Sequence, residues 1–176
     1  MTSPFVAPDT DAPRLSHIVS SPIGRLLLTG DGHALTGLWM LDADRHSARV
    51  EAGLTLSPAT FTEVAVQLEE YFGGDRKEFT VPLAPSGTPF QLAVWTQLTK
   101  IPYGSTVSYG DIARALGKRL VASRAVGLAN GANPISIIVP CHRVIGSDGS
   151  LTGYGGGLER KELLLRLEGA GPITLW

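Results

Sequence analysis

The spacing of apolar residues along the chain changes at APSGTP, residues 84–89. This change limits the possible folds more than any other feature of the sequence. Before it, residues 15–41 predict a meander of short strands with a tight turn at GDGH, and residues 60–74 predict a helix packed on that sheet. After it, the spacing of apolar residues becomes mostly helical. We therefore expect an α/β (α+β) chain, with a small sheet-and-helix domain over residues 15–84 and a mainly helical domain over residues 88–170.

Charge is also divided between the two parts. Residues 1–87 contain 6 Lys or Arg and 11 Asp or Glu, whereas residues 88–176 contain 9 and 5. The second part is therefore the one we expect to meet phosphate groups. Apolar residues make up 43% of the chain and charged residues 18%, and no run approaches the roughly 20 apolar residues that span a bilayer. A membrane-spanning protein is excluded on this pattern.

The two ends of the chain and its few cysteine and histidine residues argue against a secreted, disulfide-bonded or metal-binding protein. Residues 1–14 lack the basic start and apolar run of a signal peptide, so we expect a flexible tail there, and residues 171–176 are expected to form a second tail. One cysteine cannot form an intramolecular disulfide, and four scattered histidines give no metal-ligand spacing. We expect no metal, no cofactor and a cytoplasmic location.

Three helices are expected between Thr88 and residue 131 of the second domain. Thr88 can cap the first, with Pro89 in its first turn, and Ser108 with Asp111 forms a Ser-x-x-Asp capping box for the second. The third is VASRAVGLANG, residues 121–131, which is built almost wholly from small residues. The last two flank a tight turn that contains a glycine, as in a helix-turn-helix, although an ordinary packed helical hairpin fits the same pattern.

The only cysteine ends an apolar run. In NPISIIVPCHRVIG, residues 133–146, the run predicts a buried strand, and Cys141 is followed at once by His142. A thiolate is a much better nucleophile than a thiol, and an imidazole can remove the thiol proton. Consecutive strand residues point to opposite faces, so contact between the two needs a bridging water or a break in the strand, to which Pro140 can contribute. The alternative is an inert buried cysteine.

The longer stretch NPISIIVPCHRVIGSDGSLTGYGGGLERKELLLRLEG resembles the active-site segment of the O6-alkylguanine-DNA alkyltransferases, whose hallmark is Pro-Cys-His-Arg-Val. The resemblance covers residues 88–169, including VWTQLTKIPYGSTVSYGDIA and SRAVGLANGANP, and the first domain only in its plan. It implies a winged helix-turn-helix-like DNA-binding domain. It also implies DNA repair by irreversible, stoichiometric transfer of the alkyl group of O6-alkylguanine, or O4-alkylthymine, to Cys141 after nucleotide flipping.

The resemblance also assigns a partner and catalytic residues. The partner would be double-stranded DNA containing alkylated guanine, bound through the minor groove by a monomer that can cluster on DNA, with no membrane involved. Cys141 would accept the alkyl group, His142 would be its general base through a water, and Glu168 would orient the imidazole. Asn133 would act as a hinge between the recognition helix and the active site. Taken alone, Glu168 fits a solvated charge at a helix end, and Asn133 fits a turn residue.

Residues for DNA contact follow from the same resemblance. Arg124 would fill the gap left by an extruded nucleotide, and Tyr109 would press on the phosphate of that nucleotide. Without the resemblance, Arg124 fits a phosphate clamp or a surface arginine, and Tyr109 fits packing. A helix of low bulk can lie close in the minor groove. The other residues assigned to this contact are Ala125, Ala129 and Asn130.

A pocket for the flipped base would lie beside GYGGG, residues 153–157, although this segment also fits a mobile surface loop. Tyr154 would offer a stacking surface, and backbone groups would read the guanine edge. Many relatives have Ser where this chain has Gly155, and GKRLVAS is one residue longer than in many relatives. The residues assigned to the pocket are Tyr154, Val144, Gly155, Gly156 and Pro140.

Two other classes of protein remain open on the sequence. A cysteine hydrolase would use the same thiol and base but would turn over many times. A helix-turn-helix transcriptional regulator would need base-edge readout, and the candidate recognition helix is poor in suitable side chains apart from Arg124 and Asn130.

Overall fold

The structure is a computed structural model that describes residues 3–41 and 53–170. It divides into two compact units, Met1–Ser86 and Gly87–Trp176, which we call the N-terminal unit and the C-terminal unit. The segment 171–176, which the sequence predicts as a tail, lies outside the described residues.

A four-stranded sheet forms the base of the N-terminal unit. Its strands are β1 (Leu15–Ser21), β2 (Gly24–Gly30), β3 (Leu35–Met40) and β4 (Thr55–Leu56). Their order is β3-β2-β1-β4, with β1 antiparallel to β2, β2 antiparallel to β3, and β1 parallel to β4. The carboxylate of Asp31 accepts the backbone N–H groups of His33 (2.8 Å) and Ala34 (2.7 Å), which holds the turn between β2 and β3. The predicted meander is confirmed.

Among its described residues this unit contains one α-helix, and the segment before β1 is hydrogen-bonded to the unit. Helix α1 (Thr62–Gly73) follows a 3-10 turn and buries Val64, Leu68 and Tyr71 at helical spacing. The Val6 N–H donates to the carbonyl of Leu83 (2.9 Å). Residues predicted as a flexible tail therefore lack regular structure but are hydrogen-bonded to the unit.

The C-terminal unit is mainly helical, as predicted. Its elements are α2 (Pro89–Leu98), β5 (Val107–Ser108), α3 (Tyr109–Ala115), α4 (Ser123–Gly131), β6 (Val144–Ile145) and α5 (Leu158–Leu167). The capping boxes of α2 and α3 are both formed, by Thr88 with Gln91 and by Ser108 with Asp111. None of the helices described in either unit has the length and apolar character needed to cross a membrane.

Helices α3 and α4 form the predicted pair around a tight turn. Gly117 takes the left-handed conformation (φ 67°) after α3, and a 3-10 turn at Leu120–Ala122 leads into α4, which begins two residues later than the sequence predicts. The indole N–H of Trp95 in α2 donates to the carbonyl of Ala129 (2.8 Å). This bond fixes the inner face of α4 against α2.

The apolar run before the cysteine is not a strand, so that prediction is wrong. The Ile138 N–H donates to the carbonyl of Ser136 (2.9 Å) across Ile137, whose φ of 72° makes this the rarer, strained form of the γ-turn. A second γ-turn runs from the Cys141 N–H to the carbonyl of Val139 (2.8 Å). An unbroken apolar run reports burial and does not distinguish an extended chain from a coiled one.

Candidate active site

Cys141 is held by its backbone in the C-terminal unit. It begins the 3-10 turn Cys141–Arg143, and only 4% of the residue is exposed. The side-chain amide of Asn130, in α4, donates to the carbonyl of Cys141 (3.3 Å). The turn continues into β6, which pairs with β5 immediately before α3. The thiol is therefore tied through its own backbone to both helices of the pair.

A second group of hydrogen bonds connects the turn with the end of α5. Glu168 accepts from His142 Nε2 at Oε1 (2.8 Å), and from Arg143 Nε at Oε2 (2.8 Å) and Nη2 at Oε1 (2.9 Å). Arg143 Nη1 donates to the carbonyl of Ile101 (2.6 Å). The side chain of Asn133 bridges backbone groups on the two sides of the γ-turn at Ile137. Its Oδ1 accepts the Ile135 N–H (3.0 Å), and its Nδ2 donates to the carbonyl of Val139 (2.8 Å).

The pKa values in this group assign a protonation state. Burial by itself raises the pKa of Glu168, but hydrogen bonds from His142 and Arg143 outweigh it and bring the pKa to about 2. Burial lowers the pKa of His142 below its usual range, so the imidazole is neutral near pH 7. Because the ionised Glu168 can only accept, we assign the imidazole proton to Nε2. Nδ1 then carries the lone pair, and no other described residue donates to it.

The thiol itself is not the thiolate that the sequence suggested. Burial raises the pKa of Cys141, while hydrogen bonds from Asn133 and Ser136 and the positive charge of Lys161 act in the opposite direction. Desolvation penalises the charged form of a buried group, and in this structure it prevails. Cys141 is thus a protonated thiol at neutral pH in the free protein, and its activation requires a base.

Lys161 is a functional candidate that the sequence did not indicate. Its side chain is fully buried, and Nζ donates to the carbonyls of Val144 (2.6 Å) and Thr152 (2.8 Å). Burial lowers the pKa of Lys161 to about 8, and Cys141 is the group that acts against this shift by favouring the charged form. In LERKELLLRL a lysine fits a solvated helix face, so no local signal marks it. Lys161 therefore brings a positive charge near the sulfur of Cys141.

The residues predicted to contact DNA divide into two sets. Arg124 and Ala125 lie exposed on α4. Ala129 and Asn130 are buried, the first with its carbonyl bonded to Trp95 and the second bonded to the backbone of Cys141. The prediction of a DNA contact at these last two positions is wrong for the structure as described, because they occupy the inner face of α4.

Tyr109 and the loop after β6 lie together. The hydroxyl of Tyr109 donates to the carbonyl of Thr152 (3.0 Å), the same carbonyl that accepts from Lys161. Burial raises the pKa of Tyr109. Among the residues predicted for the pocket, Tyr154 is half-buried and Gly155 is exposed, whereas Pro140, Val144 and Gly156 are buried. The loop is thus anchored at one carbonyl by side chains from α3 and α5.

Gly104 gives a direct test of the Glu168 network. Its N–H donates to Glu168 Oε2 (3.2 Å), its φ is 74°, and a Cβ there would lie 2.8 Å from the carbonyl oxygen of Glu168. We expect Gly104→Ala to lower the free energy of unfolding by about 2–4 kcal/mol, since strain and a steric clash add. Urea unfolding measures the change.

The matched control is Gly117→Ala. Gly117 has a similar φ of 67°, but a Cβ there would meet nothing within 4 Å, so only the conformational strain remains, about 1 kcal/mol. Equal losses for the two variants would mean that the contact with Glu168 contributes nothing.

The comparisons with known proteins cover both units. The family model described as "6-O-methylguanine DNA methyltransferase, DNA binding domain" matches residues 89–170, and "6-O-methylguanine DNA methyltransferase, ribonuclease-like domain" matches residues 15–85. A methylated-DNA–protein-cysteine methyltransferase of Mycobacterium bovis is 53% identical over 150 residues, which is 85% of this chain and 89% of the relative. The protein of the same name from Methanosarcina acetivorans is 51% identical over 153 residues, 87% of this chain and 97% of the relative.

Solved structures agree with these matches. The crystal structure of Mycobacterium tuberculosis OGT in complex with DNA has a TM-score of 0.81 and 51% sequence identity, covering 88% of this chain and 92% of that one. That of Mycobacterium tuberculosis O6-methylguanine methyltransferase has a TM-score of 0.80 and 50% identity, covering 92% of this chain and 96% of that one.

Proposed function

Because the chain belongs to the 6-O-methylguanine DNA methyltransferase family, we propose that Cys141 accepts the alkyl group of O6-alkylguanine in double-stranded DNA and keeps it. The chain repairs DNA by direct reversal, and each molecule acts once. The observation that carries the assignment of the acceptor is the position of the lone thiol next to a buried, neutral His142 whose imidazole is oriented by Glu168. A multiple-turnover cysteine hydrolase and a transcriptional regulator are not favoured.

The proposed reaction follows from the protonation states of the site. The thiol proton passes to His142 Nδ1 through a water, and Glu168 stabilises the imidazolium because it already accepts from Nε2. The sulfur then attacks the alkyl carbon, a sulfur–carbon bond forms, and the carbon–O6 bond breaks with its electron pair going to the base. The departing guanine takes one proton back from the imidazolium through the water and becomes ordinary guanine, so His142 returns to its neutral form. The product on the protein is a thioether, which this site has no means to cleave.

DNA contact is proposed to run through the minor groove. The O6 atom of a stacked guanine cannot meet a protein thiol in line, so the nucleotide must leave the stack. The exposed face of α4 carries Arg124 and Ala125, and its low bulk at Ala125 supports a close approach to the groove floor. O4-alkylthymine is proposed as a second substrate. We also propose that the protein acts as a monomer. We propose a cytoplasmic location, because the acceptor must be a reduced thiol.

Intact mass after mixing with duplex DNA that carries O6-methylguanine tests the proposal. We expect the protein to gain one methylene unit, located on Cys141 by peptide mapping, in a ratio that stops at one alkyl group per molecule. Product in excess of protein would contradict the proposal and favour hydrolysis.

Arg124→Ala separates a residue that fills the gap in the stack from a phosphate clamp. If Arg124 fills the gap, repair of duplex DNA slows by roughly a hundredfold, because the unfilled gap costs a few kcal/mol. Transfer from free O6-benzylguanine, which needs no extrusion, stays near the wild-type rate. Rates of both reactions by mass spectrometry are the measurement.

The control for this prediction is Arg166→Ala, which removes an exposed arginine of α5 that is paired with Glu162. Both of its rates should match those of the wild type. Equal losses of duplex and free-base transfer in Arg124→Ala would refute the proposed role and indicate damage to the fold.

A further inference from the structure

A single polar side chain, Ser136, interrupts the apolar run between Asn133 and Cys141. Within residues 133–144, all of which the structure describes, Ser136 is the one residue that is half-buried, and the others are buried. An extended chain would place Ser136 roughly 16 Å from Cys141, because a strand rises about 3.3 Å per residue. In the structure the Ser136 hydroxyl instead hydrogen-bonds the sulfur of Cys141.

The turn that brings these two residues together is strained. The Ile138 N–H donates to the carbonyl of Ser136 (2.9 Å) across Ile137, whose φ is 72°. A β-branched residue rarely adopts a positive φ, and such conformations persist only where the surrounding structure enforces them, which is common at functional sites. Asn133 enforces this one by bonding the backbone on both sides of the turn. The strain therefore holds the Ser136 side chain beside the sulfur.

Ser136 differs from the other groups that act on the sulfur. Among the described residues these are the side-chain amide of Asn133 and the positive charge of Lys161. Asn133 already donates to the carbonyl of Val139 (2.8 Å), and Lys161 donates to two backbone carbonyls (2.6 and 2.8 Å). A serine hydroxyl rotates about its Cβ–Oγ bond and can donate or accept. It can accept from the S–H group of the resting thiol and donate to the thiolate.

We propose that Ser136 is a catalytic residue of alkyl transfer, whose hydroxyl donates a hydrogen bond to the sulfur when the thiol proton leaves for His142. This inference rests on the proposed function, because it adds a group to the same reaction. The proton balance is unchanged: the thiol proton passes through the water to His142, and Ser136 keeps its own proton. The bond weakens as the sulfur gains the alkyl carbon. Because it is stronger to a thiolate than to a thiol, it stabilises the reactive form of the sulfur.

The pH dependence of transfer isolates this contribution. The charged and titratable groups around Cys141 belong to α3, to its own turn, and to α5 with the residue that follows it: Tyr109, His142, Arg143, Lys161 and Glu168. All of them are retained when Ser136 is replaced by alanine. Because the hydroxyl favours the charged sulfur, its removal raises the pKa of Cys141.

Ser136→Ala is the test variant, with free O6-benzylguanine as the substrate. One hydrogen bond to a charged group changes an equilibrium by about tenfold, so the thiolate fraction at pH 7 falls by about that factor. The more basic sulfur is about threefold more nucleophilic. We therefore expect transfer to be about threefold slower at pH 7. The ratio of the wild-type rate to the variant rate should fall as the pH rises, and it should pass below one where both thiols are ionised.

Two further measurements separate chemistry from binding and from folding. Single-turnover repair of a duplex with O6-methylguanine, at saturating DNA, should slow by the same factor, because the hydroxyl acts on the sulfur and not on extrusion of the nucleotide. Ultraviolet titration of the thiolate, with Cys141→Ser as the blank, should give a higher midpoint for Ser136→Ala. Urea unfolding confirms that each variant is folded.

Two other variants complete the experiment. Ser136→Thr keeps the hydroxyl and should restore the wild-type pH profile. Ser21→Ala is the matched control, because it removes a half-buried hydroxyl of the N-terminal unit that donates to the carbonyl of Gly24 (2.6 Å). It should change neither the rates nor the thiolate titration.

Three results would overturn the proposal. They are an unchanged pH–rate profile in Ser136→Ala, a loss of rate that is the same at every pH, and an equal loss in a folded Ser136→Thr variant. Failure of the proposed function is distinguishable, because in that case the wild-type protein would transfer an alkyl group from neither substrate, whereas the ultraviolet titration needs no alkyl transfer.

Discussion

Cys141→Ser is expected to reduce the rate of alkyl transfer by about a thousandfold or more, so that no transfer is detected in a practical assay. An alcohol ionises far less readily than a thiol, and its oxygen is a much poorer nucleophile than sulfur toward a saturated alkyl carbon. Binding of duplex DNA should stay within about twofold of the wild type, because affinity rests on phosphate and groove contacts. Intact mass and fluorescence anisotropy measure the two properties on the same preparation.

The sequence provides its own control for this variant. Cys141 is the only cysteine of the chain, so no second thiol can replace it. A methyl group found on the serine variant, at any residue, would exclude Cys141 as the sole acceptor. If the serine variant lost both DNA binding and alkyl transfer, the substitution would have damaged the DNA-binding surface or the fold.

Arg143→Met is expected to have the largest effect on stability. Arg143 is almost buried and donates two hydrogen bonds to Glu168 and a third to the carbonyl of Ile101. Removing one partner leaves a buried carboxylate without its counterion, which costs about 3–5 kcal/mol. Urea unfolding at neutral pH measures the loss. Arg76→Met is the control, because Arg76 forms a more exposed pair with Glu70 (2.6 Å), and such pairs contribute about 0–1 kcal/mol.

The same variant should change the response to acid. In the wild type, the pKa of Glu168 lies at about 2, below its ordinary value of 4.5. The stability that Glu168 contributes is therefore complete above pH 4.5 and is lost as the pH falls toward 2. Without the guanidinium of Arg143 the pKa of Glu168 rises. The stability that Glu168 contributes is then smaller, and on acidification it is lost at a higher pH than in the wild type. Similar losses for Arg143→Met and Arg76→Met would contradict the role of Arg143.

Local signals in the sequence were sufficient for the starts of α2 and α3. The cap of α2 at Thr88 and that of α3 at Ser108 depend on residues within three positions of each other, so a short window contains the whole interaction. The pairing of His142 with Glu168 joins residues 26 positions apart. It was predicted from the resemblance to a family, and neither spacing nor composition indicates it.

Other features depend on tertiary contacts that no window contains. Two γ-turns around Ile137 and Pro140 replace the predicted strand, and Asn133 satisfies backbone groups on both sides of the first of them, the Ile135 N–H and the carbonyl of Val139. Lys161 fits a solvated helix face in sequence, and its burial follows only from the carbonyls of Val144 and Thr152. Ala129 and Asn130 fit a DNA-facing helix in sequence, and their inward position follows only from the contacts with Trp95 and with the backbone of Cys141.

The burial of Cys141 affects how long an unused molecule remains usable. A protein that reacts once at its only thiol cannot repair DNA while that thiol is oxidised, and it is lost for good once oxidation passes beyond the reversible stages. Sulfenic acid and mixed disulfides form from exposed thiolates, and the raised pKa and low exposure of Cys141 keep both the charge and the access low. The arrangement that makes the resting thiol a poor nucleophile therefore also preserves it from peroxide and glutathione until a damaged base arrives.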